Sequence, residues 1–200
     1  MRIAPAALLF CAAACDGAVT ALPPAPGPRI AVRDDFESPN PKWRTIEGTW
    51  ERRSGLLAQT STDHAFNVAL LEERRFTDVD VTVRFRPLSG ERDASGGIVL
   101  RATDGRNYLL VRANALEENV RLYTVVDGRR RQIATAAVKA PAMGAWHALR
   151  VVAAGDRIEA HLDGVRLLDH SGTPVGSGWV GLWTKEDSVT EFDDFVAEGP

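Results

Sequence analysis

The side chains with the widest chemical scope in this 200-residue chain fall on three consecutive strand-like segments. Arg101 closes the first, Tyr108, Arg112 and Asn114 lie on the second, and Asn119, Arg121 and Tyr123 lie on the third. Paired as antiparallel hairpins, these segments would place the seven side chains on one sheet face. Guanidinium and amide groups donate hydrogen bonds to hydroxyls or carboxylates, and a phenol ring offers an apolar face to a sugar ring. With Trp183 and Lys185 nearby, the set reads as a glycan groove. An ordinary solvated face, its arginine stems covering apolar surface, uses the same residue types, so both readings stand. Trp50, Trp146 and Trp179 read as packing anchors, whereas Trp183 is expected to be partly exposed because Lys185 and Asp187 follow it in a polar loop.

Other chemistries find little support. The four histidines show no metal-ligand spacing; His161 and Asp163 share a strand face, and His147 should point outward, opposite Trp146. There is no Gly-x-Ser-x-Gly elbow, phosphate loop or dinucleotide fingerprint. Both cysteines, Cys11 and Cys15, lie in the first fifteen residues, so the rest of the chain has no disulfide, thiolate nucleophile or cysteine metal site. The formal net charge of −3, with signs interspersed, lacks the basic footprint of a nucleic-acid binder.

The elements that must position these groups are strands. Val79, Val81, Val83 and Phe85 alternate with Asp80, Thr82, Arg84 and Arg86, and Ile158, Ala160 and Leu162 alternate with Arg157, Glu159 and His161. Such one-sided alternation implies antiparallel sheets with one covered face. Near the end, the same period predicts Phe192, Asp194 and Val196 on one face and Glu191, Asp193 and Phe195 on the other. Asp104-Gly105, Asp127-Gly128 and Asp163-Gly164 separate strand-like runs and supply the positive φ of tight hairpins. No convincing helix of ten residues emerges; Thr135, Val138 and Pro141 argue against one in the alanine-rich stretch 134–142. Many short strands with frequent turns predict an all-β domain, a two-sheet antiparallel β-sandwich over residues 30–198.

The N-terminus predicts an address. Met1-Arg2 precedes about a dozen apolar residues ending in small ones, the layout of a secretory signal and too short for a transmembrane helix of roughly 20 residues. Ala12-Ala13-Ala14-Cys15 resembles a bacterial lipobox, although Ala12 stands where leucine is usual, which makes Cys15 the expected lipidation site. Residues 16–29, with Pro23, Pro24, Pro26 and Pro28, read as an extended tether. An extracytoplasmic domain, touching a membrane only through a lipid anchor, is expected.

Several segments carry a family resemblance: Asp34-Asp35-Phe36-Glu37 with Trp43 and Gly48-Thr49-Trp50, Gly96-Gly97-Ile98-Val99-Leu100-Arg101, and Asn107-Tyr108 through Asn114. Asn119 through Tyr123, Trp146-His147, Gly181-Leu182-Trp183-Thr184-Lys185 and Phe192-Asp193-Asp194-Phe195 continue it. The domain resembles the concanavalin A-like lectin/glucanase superfamily. Within it, the chain is similar to secreted proteins grouped with the 3-keto-disaccharide hydrolase, or family 16 glycoside hydrolase-like, family. The resemblance implies a jelly roll whose concave sheet binds carbohydrate. It also implies a structural Ca²⁺ joining the first and last strands, for which Asp34, Asp35 and Glu37 with Asp193 and Asp194 are the candidate ligands. The glucanase motif Glu-x-Asp-x-x-Glu is absent: Glu191, Asp193 and Glu198 come nearest, and on a regular strand Glu198 would point away from Glu191. Three readings follow: a carbohydrate-binding protein without catalysis; a hydrolase of a keto-sugar glycoside or another glycan, with Glu186 or Asp187 and His147 or His161 as acid–base groups; or a structural or protein-binding module of the envelope with no sugar ligand.

Overall fold

The computed structural model describes residues 29–39 and 41–200; the export segment, Cys15 and the proline-rich stretch lie outside the described residues. The strands form two sheets. The first holds β1 (Ile30–Asp34), β3 (Trp50–Arg53), β4 (Leu56–Gln59), β6 (Val79–Ser89), β11 (His147–Ala154), β12 (Arg157–Leu162), β13 (Val165–His170) and β15 (Val189–Gly199). The second holds β2 (Trp43–Glu47), β5 (Phe66–Phe76), β7 (Ser95–Ala102), β8 (Tyr108–Asn114), β9 (Asn119–Val126), β10 (Arg129–Ala137) and β14 (Gly178–Lys185).

The strand order is β13-β12-β11-β6-β15-β4-β3 in the first sheet, with β1 paired to β15, and β10-β9-β8-β7-β14-β5-β2 in the second. The pairings are antiparallel, and no helix occurs among the described residues. This is the all-β sandwich that the alternation predicts.

The predicted faces hold where the strands are regular. Val79, Val81, Val83 and Phe85 are buried, as are Ile158, Ala160 and Leu162, and they meet Ile98, Leu100, Leu109, Val111 and Leu122 of the second sheet in the main core. Burial of each such side chain contributes about 1.5–3 kcal/mol before chain entropy is counted. The last strand departs from its period. Asp194 takes a positive φ of 50°, and the β15–β6 register shifts between Asp193 and Val196. This β-bulge returns Phe195 to the core beside Phe192, while Asp194 stays outside. Asp127-Gly128 and Asp163-Gly164 adopt the expected positive φ at both residues. Asp104-Gly105 does not; Asp104 instead accepts from Arg106 N (2.7 Å) and the Asn107 amide.

The second sheet has an apolar layer on its outer face as well. Val68, Leu70, Val99, Tyr108, Leu110, Tyr123, Val125 and Trp183 form a smaller cluster there, joined by Ile46, Phe66 and Trp179. Strands β7 and β8 are therefore buried on both faces, which predisposes polar side chains among them to be desolvated.

Candidate functional site

On β8, Leu109, Val111 and Ala113 enter the core between the sheets, which turns Tyr108, Leu110, Arg112 and Asn114 outward. On β9, Val120 and Leu122 do the same, leaving Asn119, Arg121 and Tyr123 on the outer face. The registers place Arg112 opposite Arg121, Leu110 opposite Tyr123 and Asn114 opposite Asn119. Across β7, Gly97 stands opposite both Arg112 and Trp183. A Cβ at Gly97 would come within 3.2 Å of the Arg112 Cβ, so glycine leaves the space between the guanidinium arm and the indole. Six of the residues expected on one face, from Tyr108 to Tyr123, are thus brought together.

Arg101 is not among them. It sits at a bulge with φ of 51°, where the β14–β7 register shifts. Its guanidinium donates to the carbonyl oxygens of Thr77 (3.1 Å), Pro174 (2.7 Å) and Gly155 (2.5 Å). It braces loops at the far end of β8, and the bulge is what a simple period of two could not foresee.

Trp183 is also corrected. It is 0% exposed, because Phe66 packs on it at 5.5 Å and the Arg130 guanidinium from edge strand β10 lies 5.7 Å from its ring. Arg130 stands over Tyr123 at 4.3 Å and Phe66 at 5.6 Å as well, within the range of cation–π attraction. Lys185 reaches Glu186 through a short ion pair and lies 3.8 Å from Asp93.

Asn114 and Asn119 have a building role. The Asn114 carbonyl accepts from Leu116 N (2.8 Å) and Glu117 N (3.0 Å), and Asn119 Nδ2 donates to Glu117 O (2.8 Å). Together they shape the β8–β9 turn so that Glu117 leans back over the sheet. Its Oε2 accepts from Arg112 Nη2 at 2.9 Å and Arg121 Nη1 at 2.5 Å. Both guanidiniums also reach the Tyr123 hydroxyl, at 3.3 and 3.4 Å. Burial pushes the Glu117 carboxyl up, but the Arg112 bond and charge, Asn119 and Arg121 outweigh it and hold it below the usual range.

Asp93, in the β6–β7 connection, supplies the opposite case. It is 0% exposed, and burial raises its carboxyl against the lowering influence of Ser95, Arg112, Ser188 and Lys185. Ser188 Oγ donates to Oδ1 (3.0 Å). Asp187 clamps the approach, accepting from the backbone N–H of Glu91, Arg92 and Asp93. Glu117, Arg130 and Asp93 escaped the sequence reading. The paired asparagines around a short turn were the one available signal for Glu117.

A common deficit unites these groups. Arg112 is 0% exposed, yet its Nε and Nη1 have no hydrogen-bond partner in the protein. Arg121 Nε, Arg130 Nη1, Asn114 Nδ2, Asn119 Oδ1 and Asp93 Oδ2 are also buried and unmatched, while Trp183 Nε1 and the Tyr108 hydroxyl, which meet no other group, act on each other. Apart from Arg74 Nε and His161 Nε2, no other buried side-chain polar atom lacks a partner among the described residues. Native proteins satisfy such groups with water or a ligand. Burial also pushes the Tyr108 phenol up to about 12, with Trp183 and the Arg130 charge pulling it back.

At the first and last strands, Asp34, Asp35 and Asp194 line one pocket, and burial, with Asp194 and Asp35 nearby, pushes the Asp193 carboxyl up. Asp34, with a side chain 0% exposed, pairs with Arg52 at 2.6 Å and accepts from Trp43 Nε1 (2.7 Å) and Phe36 N (2.8 Å). The Asp194 carboxylate pairs with Arg84 at 3.1 Å, and Asp193 lies 3.7 Å from the same guanidinium; Asp35 Oδ1 accepts from Glu37 N. Strands β1 and β15 are neighbours as expected, but no group of three His, Cys, Asp or Glu side chains among the described residues could hold a metal ion. The Asp34 and Asp194 carboxylates are engaged by Arg52 and Arg84, and Ca²⁺ there would need backbone carbonyls and water to complete its shell. His147 binds Asp163 (2.8 Å) and Ala142 O (3.2 Å), His161 stands beside Glu159, and Asp187 is held by the backbone, so no His–carboxylate pair forms with Glu186 or Asp187. Glu191 is bound by Arg86 and Arg53 on the first sheet.

Comparison places the fold among known sandwiches. A carbohydrate-binding module from Bacillus subtilis superposes with a TM-score of 0.72 at 21% identity, covering 78% of this chain and 95% of that one. A galectin-like protein of unknown function from the same organism gives 0.66 at 15%, covering 86% and 96%. A Bacillus licheniformis β-glucanase gives 0.62 at 13%, covering 85% and 98%. No curated protein matches the chain in sequence. The 3-keto-alpha-glucoside-1,2-lyase-like domain matches residues 34–196, nearly the whole sandwich, and the chain belongs to that family.

Proposed function

We propose that this domain binds carbohydrate on the outer face of its second sheet, around Arg112, Arg121, Tyr123 and Glu117. The observation that carries the reading is the gathering of buried, unmatched donors and acceptors at one place beside an aromatic cluster. A saccharide presents ring oxygens and hydroxyls that can satisfy such groups, and few other small ligands offer as many. The kinship of the fold to a carbohydrate-binding module supports the same reading.

A glycan array tests it. The wild-type domain is expected to select a saccharide class, and Arg121→Ala, at a partly exposed side chain, is expected to weaken that binding at least tenfold while the fold survives. Binding unchanged in the variant rejects the assignment of this face, and absence of binding by any glycan favours a structural module.

A second reading, catalysis on a 3-keto-glucoside, draws on the family description and on one observation. Asp93 and Glu117 flank the same guanidiniums while their carboxyls are shifted in opposite directions, the arrangement by which one site holds a proton donor and an ionised partner. Asp93 Oδ2 is the unmatched carboxylate oxygen available to carry a proton. Incubation with 3-keto-glucosides, followed by chromatography, checks this: turnover abolished in Asp93→Asn supports it, and intact substrate after prolonged incubation with wild type removes it.

For the address, we propose export and lipid attachment at Cys15 on the strength of residues 1–15 alone. Incorporation of radiolabelled fatty acid that disappears in Cys15→Ser supports it; no label on wild type refutes it.

A further inference from the structure

Three guanidinium groups converge on one phenol. Arg112 and Arg121 each reach the Tyr123 hydroxyl, at 3.3 and 3.4 Å, and the Arg130 guanidinium lies 4.3 Å from the centre of the same ring. Among the described residues, Glu117 alone stands at ion-pair distance from them, and it bridges Arg112 and Arg121 through the same oxygen. Among the described residues, Arg130 has no carboxylate partner at that distance. Asp93, the other acid near this group, feels the charges of Arg112 and Arg121, but burial favours its neutral form, and it lies 3.8 Å from Lys185.

Like charges held this close, with Arg112 fully buried and Arg121 and Arg130 half-buried, repel unless a counter-charge is supplied. The unmatched atoms point to the same need. Arg112 Nε and Nη1, Arg121 Nε, Arg130 Nη1 and Asn114 Nδ2 can only donate, whereas Asp93 Oδ2 and Asn119 Oδ1 can only accept. A neutral sugar offers hydroxyls that donate as readily as they accept. A planar carboxylate offers acceptors alone and suits the forked guanidinium.

We infer that the ligand of this face is an anionic saccharide, a sugar bearing a carboxylate, whose negative group enters between Arg112, Arg121 and Arg130 beside Tyr123. The inference rests on the carbohydrate reading above and narrows it to a substrate class. It also gives Arg130 a role: the arginine that roofs Phe66, Tyr123 and Trp183 belongs to the anion site.

Calorimetric titration tests it with a panel of uronic-acid oligosaccharides, each beside its carboxyl-reduced counterpart and a sulfated neutral oligosaccharide. At least one uronate is expected to bind tenfold or more tightly than its reduced form. That ratio should collapse toward one in Arg121→Gln and in Arg130→Gln, both checked for an unchanged circular-dichroism spectrum. Equal or tighter binding of the reduced forms overturns the anion inference and leaves the carbohydrate reading standing. Preference for the sulfated sugar over every uronate overturns the carboxylate assignment. No binding by any saccharide removes both.

Discussion

Replacement of Asp34 by alanine should destabilise the domain without touching the second-sheet face. The Asp34 side chain is 0% exposed and Arg52 24% exposed in their 2.6 Å pair. The same carboxylate accepts from Phe36 N, Trp43 Nε1 and Arg52 Nη1. It ties the end of β1 to β2 and β3, next to the Phe36–Trp43 and Trp43–Phe195 ring contacts at 5.8 and 5.1 Å. Removing one partner of a buried pair costs about 3–5 kcal/mol. Because Arg52 can turn partly to water, the low end applies, about 3 kcal/mol. For a domain of 150–250 residues each kcal/mol moves the melting temperature by roughly 2–4 °C, so the expected fall is roughly 6–12 °C. Urea unfolding followed by circular dichroism should give the same free energy with an unchanged slope. Adding Arg52→Met to Asp34→Ala should cost less than Arg52→Met alone, since the orphaned charge is gone. A fall under about 2 °C would refute the buried-pair reasoning. So would a chelator that reproduces the fall in wild type, because the acid would then be acting as a cation ligand.

Other consequences can be measured together. Asp187 is held below its ordinary range by backbone hydrogen bonds that outweigh burial; its stabilisation is therefore present above about pH 4 and lost as pH falls through the depressed folded value. The melting-temperature gap between wild type and Asp187→Asn should be wide at pH 7 and close toward pH 3. Asp93 is raised by burial, so its protonated form favours the fold below about pH 4 and that advantage fades as pH rises through the folded value. Asp93→Asn should accordingly gain on wild type as pH rises, and opposite trends for the two variants sink both assignments. Trp183→Ala should lose about 3–5 kcal/mol, read by urea denaturation, as expected for a fully buried aromatic; a loss below about 1 kcal/mol would mean the indole is open. Gly96→Ala would place a Cβ 2.5 Å from Phe85 Cδ2, and thermal melting should report an overpacking cost of about 1–3 kcal/mol.

The regular part of this architecture could be read from the chain. Alternation from Val79 to Phe85 and from Ile158 to Leu162 assigns faces because successive residues of a strand point to opposite sides. Asp-Gly at 127–128 and 163–164 marks turns because few other residues accept their backbone angles. Those local rules were also enough to bring Tyr108, Arg112 and Arg121 onto one face. They fail at Arg101 and Asp194, where one extra residue in a strand reverses every later side chain. They also cannot show that Arg130 of an edge strand would roof Trp183, that a turn would return Glu117 to two arginines, or that Arg52 would claim Asp34. A residue's type and period state which way it points, whereas burial and ionic partnership depend on segments distant in the chain, and only the packed sandwich brings those together.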